Sequence, residues 1–186
     1  TSGSAFTKGS AVVFDTQDPT EGLSVVYDSS NNKIVVIYSD SGNSSYGTAV
    51  VGTVSGTSIS FGTAVVFNSG NTQKIGAVFD SNLNKVIPVW DQVSGSSLRA
   101  IVGTVSGTSI SFGSSTTFSN DDSSTIIRAT FDSNSNKVIF AYGDDGNSNY
   151  GSAIVGTVSG TSISFGSVTV FENFQSENIG MTFDSN

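Results

Sequence analysis

The twelve residues Val-Gly-Thr-Val-Ser-Gly-Thr-Ser-Ile-Ser-Phe-Gly occur three times without a change, at 51–62, 102–113 and 155–166. Identity of that length at a spacing of about fifty residues marks a tandem repeat, and a repeat restricts the fold to units that pack against their own kind. Other landmarks keep step. Asp28, Asp80, Asp132 and Asp184 are 52 residues apart, as are Tyr38, Trp90 and Tyr142. Phe14, Phe67, Phe118 and Phe171 step by 53, 51 and 53, which puts the length changes in loops. Thr1 to Phe14 aligns without gaps on Val54 to Phe67.

Each unit reads as four strands, A to D. Strand A covers Leu23 to Asp28, Ile75 to Asp80, Ile126 to Asp132 and Ile179 to Asp184, with small residues (Gly76, Ala77, Ala129, Gly180) that suit a crowded position. An Asp-Ser-Asn-x-Asn-Lys turn follows, since Asp and Asn accept local backbone bonds and tolerate left-handed geometry. Strand B (Lys33 to Tyr38, Lys85 to Trp90, Lys137 to Tyr142) is a nearly continuous apolar run, as for a strand covered on both faces. Pro88 in its middle copy requires a bulge or an unpaired position. The B–C loop is rich in Asp, Gly, Asn and Ser at 40–47 and 144–151; the middle copy, 91–98, differs and is followed by Arg99.

Strand C covers Ala49 to Val54, Ala100 to Val105 and Ala153 to Val158. A Ser-Gly step then turns the chain into strand D, Ser58 to Phe67, Ser109 to Phe118 and Ser162 to Phe171, a strong hairpin signal. Gly62, Gly113 and Gly166 predict a bulge or bend within D. Ile59 and Phe61 alternate with Ser58 and Ser60, so D is half exposed and edge-like. The D-to-A connections at 68–74, 119–125 and 172–178 predict crossovers between sheets. The chain thus divides into units at 23–74, 75–125 and 126–178, preceded by a partial unit at 1–22 (strand D and a crossover) and followed by strand A of another at 179–186.

Four antiparallel strands with three tight connections and one crossover describe a blade, so the fold expectation is an all-β β-propeller, strands A to D running from inside to outside. The alternative is a β-solenoid or a fibre of stacked sheets. Three and a fraction units fall short of the usual four blades, which leads to two expectations: an excerpt of a longer array, or copies associating through exposed A and D edges.

Composition narrows the chemistry. The net charge is −8, and seven cations spread over 186 residues make no basic stripe, which argues against nucleic acid and anionic membrane surfaces. With no Cys and no His, thiol chemistry, Cys-type zinc sites and the commonest general base are all missing. No apolar stretch is long enough for a transmembrane helix.

The succession Phe-Asp-Ser-Asn-x-Asn-Lys-Val-Ile, Asp-x-Gly-Asn-Ser-x-Tyr-Gly and the twelve-residue identity resembles tandem propeller-like repeats of phage tail and virion-associated proteins and of bacterial surface proteins. The resemblance covers nearly the whole chain. It implies an extracellular or virion-surface setting and an adhesive role. The loops Asp40 to Tyr46 and Asp144 to Tyr150 also resemble the structural Asp-box of sialidase-type propellers. They are one residue longer, and the middle copy lacks the glycine after Asp91. A sialidase arginine triad is excluded, because Arg99 and Arg128 are the only arginines.

Among candidate sites, Asp144, Asp145, Asn147 and Asn149 form the richest oxygen cluster, but a calcium loop with its terminal Glu is absent and turn capping accounts for them. The adjacent acids Asp121–Asp122 and Asp144–Asp145 lack the separation that glycoside hydrolysis needs. Aromatic rings beside Asp and Asn suit sugars better, through an apolar face and directional acceptors. The candidate ligand set is therefore Tyr46, Trp90, Asp91, Arg99, Asp144, Asn147 and Tyr150, with extra weight on the departures from the repeat: Trp90, Asp91, Gln92 and Arg99 in the middle unit, and Phe174 and Glu177 in the last crossover. The expected protein is a non-enzymatic adhesion or receptor-binding module for a cell-surface glycan, without metal or cofactor. A purely structural repeat, partnered by further units or by copies of itself, is the alternative.

Overall fold

The structure, a computed structural model, describes residues 8–17 and 22–185. It is all-β: fifteen strands and two short 3-10 turns, with no α-helix among the described residues and hence no helix able to cross a membrane. The strands form two antiparallel sheets, one of ten strands and one of five, neither of them closed.

Three meanders make up these sheets. The first comprises β1 (Leu23–Asp28), β2 (Lys33–Asp40), β3 (Tyr46–Ser55), β4 (Ser58–Phe61) and the first half of β5 (Val65–Asp80). The second comprises the remainder of β5, β6 (Lys85–Gln92), β7 (Ser97–Ala100), β8 (Gly103–Ser106), β9 (Ser109–Phe112) and β10 (Thr116–Ser119). The third comprises β11 (Arg128–Asp132), β12 (Lys137–Asp144), β13 (Tyr150–Ser159), β14 (Ser162–Phe165) and β15 (Thr169–Gln175). Its register matches the first: Ile34 faces Gly52, and Val138 faces Gly156.

Local chemistry sets each turn. Asp28 Oδ1 accepts from the amides of Ser30 and Asn31, Asp80 Oδ1 from Asn82 and Leu83, and Asp132 Oδ1 from Asn134 and Ser135, all within 2.8–3.0 Å. Asn32, Asn84 and Asn136 then take φ of 52°, 56° and 55°, the left-handed geometry Asn tolerates. Between strands C and D, Gly56, Gly107 and Gly160 take φ of 59°, 62° and 60°, at the first central position of a two-residue hairpin. Across each B–C pair a lysine ties the meander: Lys33, Lys85 and Lys137 donate to Thr53, Thr104 and Thr157 at 2.8–2.9 Å.

Strand D carries a bulge in every meander. Phe61 faces Gly52 and Val65 faces Ala49, so residues 62–64 lie opposite only 50–51. Gly62 donates its amide to Val51 at 2.9 Å, and Gly113 and Gly166 repeat the bond to Val102 and Val155 at 3.0 Å. Pro88 breaks the ladder differently. Lacking an N–H, it leaves the second meander's C strand in two pieces, β7 and β8, where the first and third have one ten-residue strand. Its carbonyl still accepts from Ile101 at 3.1 Å.

The core lies between consecutive meanders. Val26, Val35, Ile37, Ala49 and Val51 of the first pack on Ile75, Val86, Trp90, Ile101, Val105 and Ile110 of the second. Val78, Ile87, Val89, Leu98, Ala100 and Val102 of the second pack on Ile127, Val138, Phe140, Tyr142, Ile154, Val158 and Ile163 of the third. Val36, Tyr38 and Val50, on the opposite face of the first meander, pack with Phe14, Ile34 and Phe61. The B strands of the first and second meanders are therefore covered on both faces, whereas that of the third packs on one, through Val138, Phe140 and Tyr142. Strand A is crowded as well: a Cβ on Gly76 would overlap the carbonyl of Ile127 in the next meander.

Three expectations are corrected. Residues 68–74 are not a crossover loop; β5 runs unbroken through them, leaving one meander and entering the next, with its register shift between Gln73 and Gly76 and φ of 51° at Lys74. Residues 179–184 form no strand, because no neighbouring strand among the described residues offers them a ladder. Of the strand expected before Phe14, residues 1–7 lie outside the described residues and 8–14 are irregular.

Candidate functional site

The seven candidate residues do not converge. Tyr46 opens β3 opposite Asp40, and Tyr150 opens β13 opposite Asp144, both half-buried in separate meanders. Asn147 ends the exposed 3-10 turn Asp145–Asn147. Asp144 is half-buried; burial first, then the charge of Asp121, raises its carboxyl above the ordinary range, against a 3.5 Å bond from Ser152 Oγ.

Trp90 and Asp91 are not surface groups, which corrects their assignment as ligand contacts. Trp90 is 0% exposed and lies edge-on to Phe67 of the first meander, with ring centroids 5.1 Å apart. It fills the place that Tyr38 and Tyr142 fill in their own units, so the break in the repeat at this position is a larger ring in the same pocket. Asp91 is buried against Lys74 Nζ at 3.1 Å and accepts the Ser123 amide at 3.2 Å. Burial nonetheless raises its carboxyl, outweighing the lysine, and its Oδ1 has no partner. Lys74 Nζ also donates to the Ser123 carbonyl, and Ser123 forms a bridge with Asp144. The pair therefore pins the junction between the second and third meanders. One signal pointed to it: Lys74 is the only cation in the three D-to-A segments.

Arg99 is the candidate residue that borders a groove. It lies on β7, opposite Trp90 on one side and Thr117 on the other, and is half-buried. Its Nε donates to Thr117 Oγ1 at 3.2 Å. It borders a polar groove of about 450 Å³ formed with Asn68, Gln92, Ser97, Thr117 and Asn120 among others. Beneath the groove Gln92 Oε1 accepts from Asn68 Nδ2 at 2.6 Å and from Trp90 Nε1 at 3.3 Å, while Gln92 Nε2 donates to Ser94 Oγ at 2.9 Å. Thus the buried Trp90 acts on the groove only by fixing Gln92.

Sequence reasoning missed Asn68, Ser97, Thr117 and Asn120. They come from the end of one unit and from β7, β10 and the loop after β10 in the next, and only the continuity of β5 brings them together. The chemistry available is one guanidinium among carboxamides and hydroxyls, which can bind oxygen-rich or anionic groups. No three acidic side chains gather into a metal site among the described residues. Against protein-family models and against curated proteins alike, the chain finds no match.

Proposed function

We propose that the chain is a non-enzymatic surface adhesion module of β-propeller type that recognises a hydroxyl-rich, carboxylate-bearing glycan at the Arg99 groove. The observation that carries this reading is that Gln92 and Arg99, two of the places where the second unit breaks the repeat, border the same polar groove. On a chain of net charge −8, a half-buried arginine among neutral donors is a local site for an anion. The propeller reading draws support from the crowding of successive A strands at Gly76 and Ile127 and from the face-to-face order of the meanders. An extracellular or virion-surface setting follows from the resemblance of the repeats. The absence of catalysis is supported by the state of Asp91, which is engaged with Lys74 inside a junction.

A glycan array followed by calorimetry tests the reading. Arg99→Ala should weaken binding of an acidic glycan by about 1.5–3 kcal/mol, the range for a charged hydrogen-bond partner, with melting unchanged. An array without a signal, or one indifferent to Arg99→Ala and Asn120→Ala, would sink it. A second reading, a structural spacer that assembles end to end, is favoured by one observation: the contact between units recurs with the same residue types at every junction.

A further inference from the structure

The contact between meanders is one device used repeatedly. A Cβ on Gly62 would overlap the carbonyl of Thr108 in the next C–D turn, and a Cβ on Gly113 that of Thr161. Beside each glycine a phenylalanine reaches across. Phe67 meets Trp90 and Phe112 at 5.1 and 5.5 Å, and Phe118 meets Tyr142 and Phe165 at 5.8 and 5.1 Å. The first meander receives the same device from residues 8–17. Gly9 lies against the Thr57 carbonyl, and Phe14 meets Tyr38 and Phe61 at 5.1 and 5.8 Å.

The third meander carries the donor half of this device with no acceptor. The atom nearest a Cβ on Gly166 is Val155 O, at 3.8 Å. Phe171 lies over Gly151 as Phe67 lies over Gly47, yet it is 55% exposed. Val155, in the register position of the fully buried Val51, is 45% exposed. Residues 176–181 pass nearby without forming a strand, and between them, Phe171, Ala141 and Ala153 a cavity of about 500 Å³ stays open.

We propose that this face docks the first meander of a second copy of the chain, head to tail, with Gly166 seated on the partner copy's Thr57 turn and Phe171 against its Tyr38 and Phe61. The proposal rests on the spacer reading and names its partner. Two segments must yield: residues 8–17 of one copy and 176–185 of the other. Neither holds a strand ladder, whereas the incoming β14 and β15 are already paired with β13. Residues 8–17 compete as a tethered segment, with an effective concentration of about mM, so assembly sets in at high protein concentration. The contact is heterologous, and repetition gives open filaments or rings rather than a two-fold dimer.

Sedimentation velocity of the full chain, from about 10 μM to about 1 mM in keeping with that tethered competition, is the test. The expected result is concentration-dependent growth beyond the dimer. Gly166→Val should raise the concentration needed by about tenfold or more, with the monomer's melting unchanged, since the site is open in the isolated chain. Gly9→Val, and independently Phe14→Ala, should lower it by expelling the covering segment. The proposal is overturned if the wild type and both covering-segment variants stay monomeric throughout, or if Gly166→Val and Phe171→Ala leave assembly unchanged. A monomer whose Gly62→Ala variant still loses stability would overturn self-assembly alone and leave the spacer reading standing.

Discussion

The first and third meanders present nearly the same residues on corresponding faces and meet opposite fates. Ala49, Val51 and Phe67 face the second meander; Ala153, Val155 and Phe171 occupy the same register with no meander opposite them, Val155 and Phe171 being exposed. A Cβ on Gly62 would overlap a neighbouring backbone carbonyl, whereas one on Gly166 would meet nothing closer than 3.8 Å. The difference lies wholly in what stands opposite. Hydrophobic stabilisation follows the apolar area taken from water, so the same valine contributes about 1.5–3 kcal/mol in one unit and only part of that in the other.

Substitutions can break this comparison, and truncating the aromatic rings should do so most. Trp90→Ala opens a hole at a fully buried junction and should cost about 3–5 kcal/mol in chemical denaturation, enough to threaten folding of a chain this size. Phe171→Ala, at the uncovered face, should cost under about 1 kcal/mol at low protein concentration. Equal losses would mean that the third face is covered in solution.

The glycines sharpen the contrast with a smaller change. Gly62→Ala and Gly113→Ala force a methyl into a backbone carbonyl and should each cost about 1–3 kcal/mol, read from thermal or urea midpoints. Gly166→Ala has open space and no left-handed φ, so it should be neutral or stabilise by up to about 1 kcal/mol through the unfolded chain. A stabilised Gly62→Ala would refute the proposed basis of the junction.

Acidity should have the smallest effect. Asp91 has a carboxyl raised by burial above its ordinary 3.8, so the folded chain holds its proton at pH values where the unfolded chain has released it. Stability from this group is greatest below the ordinary value and is lost as pH rises through the raised one. Asp144 shifts in the same direction. Melting followed from neutral pH down towards 4 should therefore show a gain that Asp91→Asn diminishes. An unchanged profile in that variant would show that Asp91 titrates as an ordinary carboxyl.

Much of the local structure was legible in the residues. The Asp28, Asp80 and Asp132 turns, the Ser-Gly hairpins and the bulge at Gly62 depend on chemistry within a few positions, and the pattern states them openly. The apolar B strands announced two covered faces, which the first two have and the third does not. The candidate site was legible only at Arg99 and Gln92. Trp90 read as a departure worth a ligand because its sequence position marks the ring but not its surroundings. Those surroundings come from Phe67 and Phe112, in strands 23 and 22 residues away on either side.

What the sequence determined by itself is the unit: four strands, their turns, their register and the glycine each unit offers to the next. These follow from side-chain alternation, left-handed Asn and Gly, and hydrogen bonds closed over short distances. What only the tertiary structure decided is which copies of the unit are buried. Strand A at 128–132 forms beside β12, whereas the matching 179–184 stays irregular; Val51 is core and Val155 is surface. A ladder and a packed face each need a second partner, and no residue in the repeat specifies whether that partner is present.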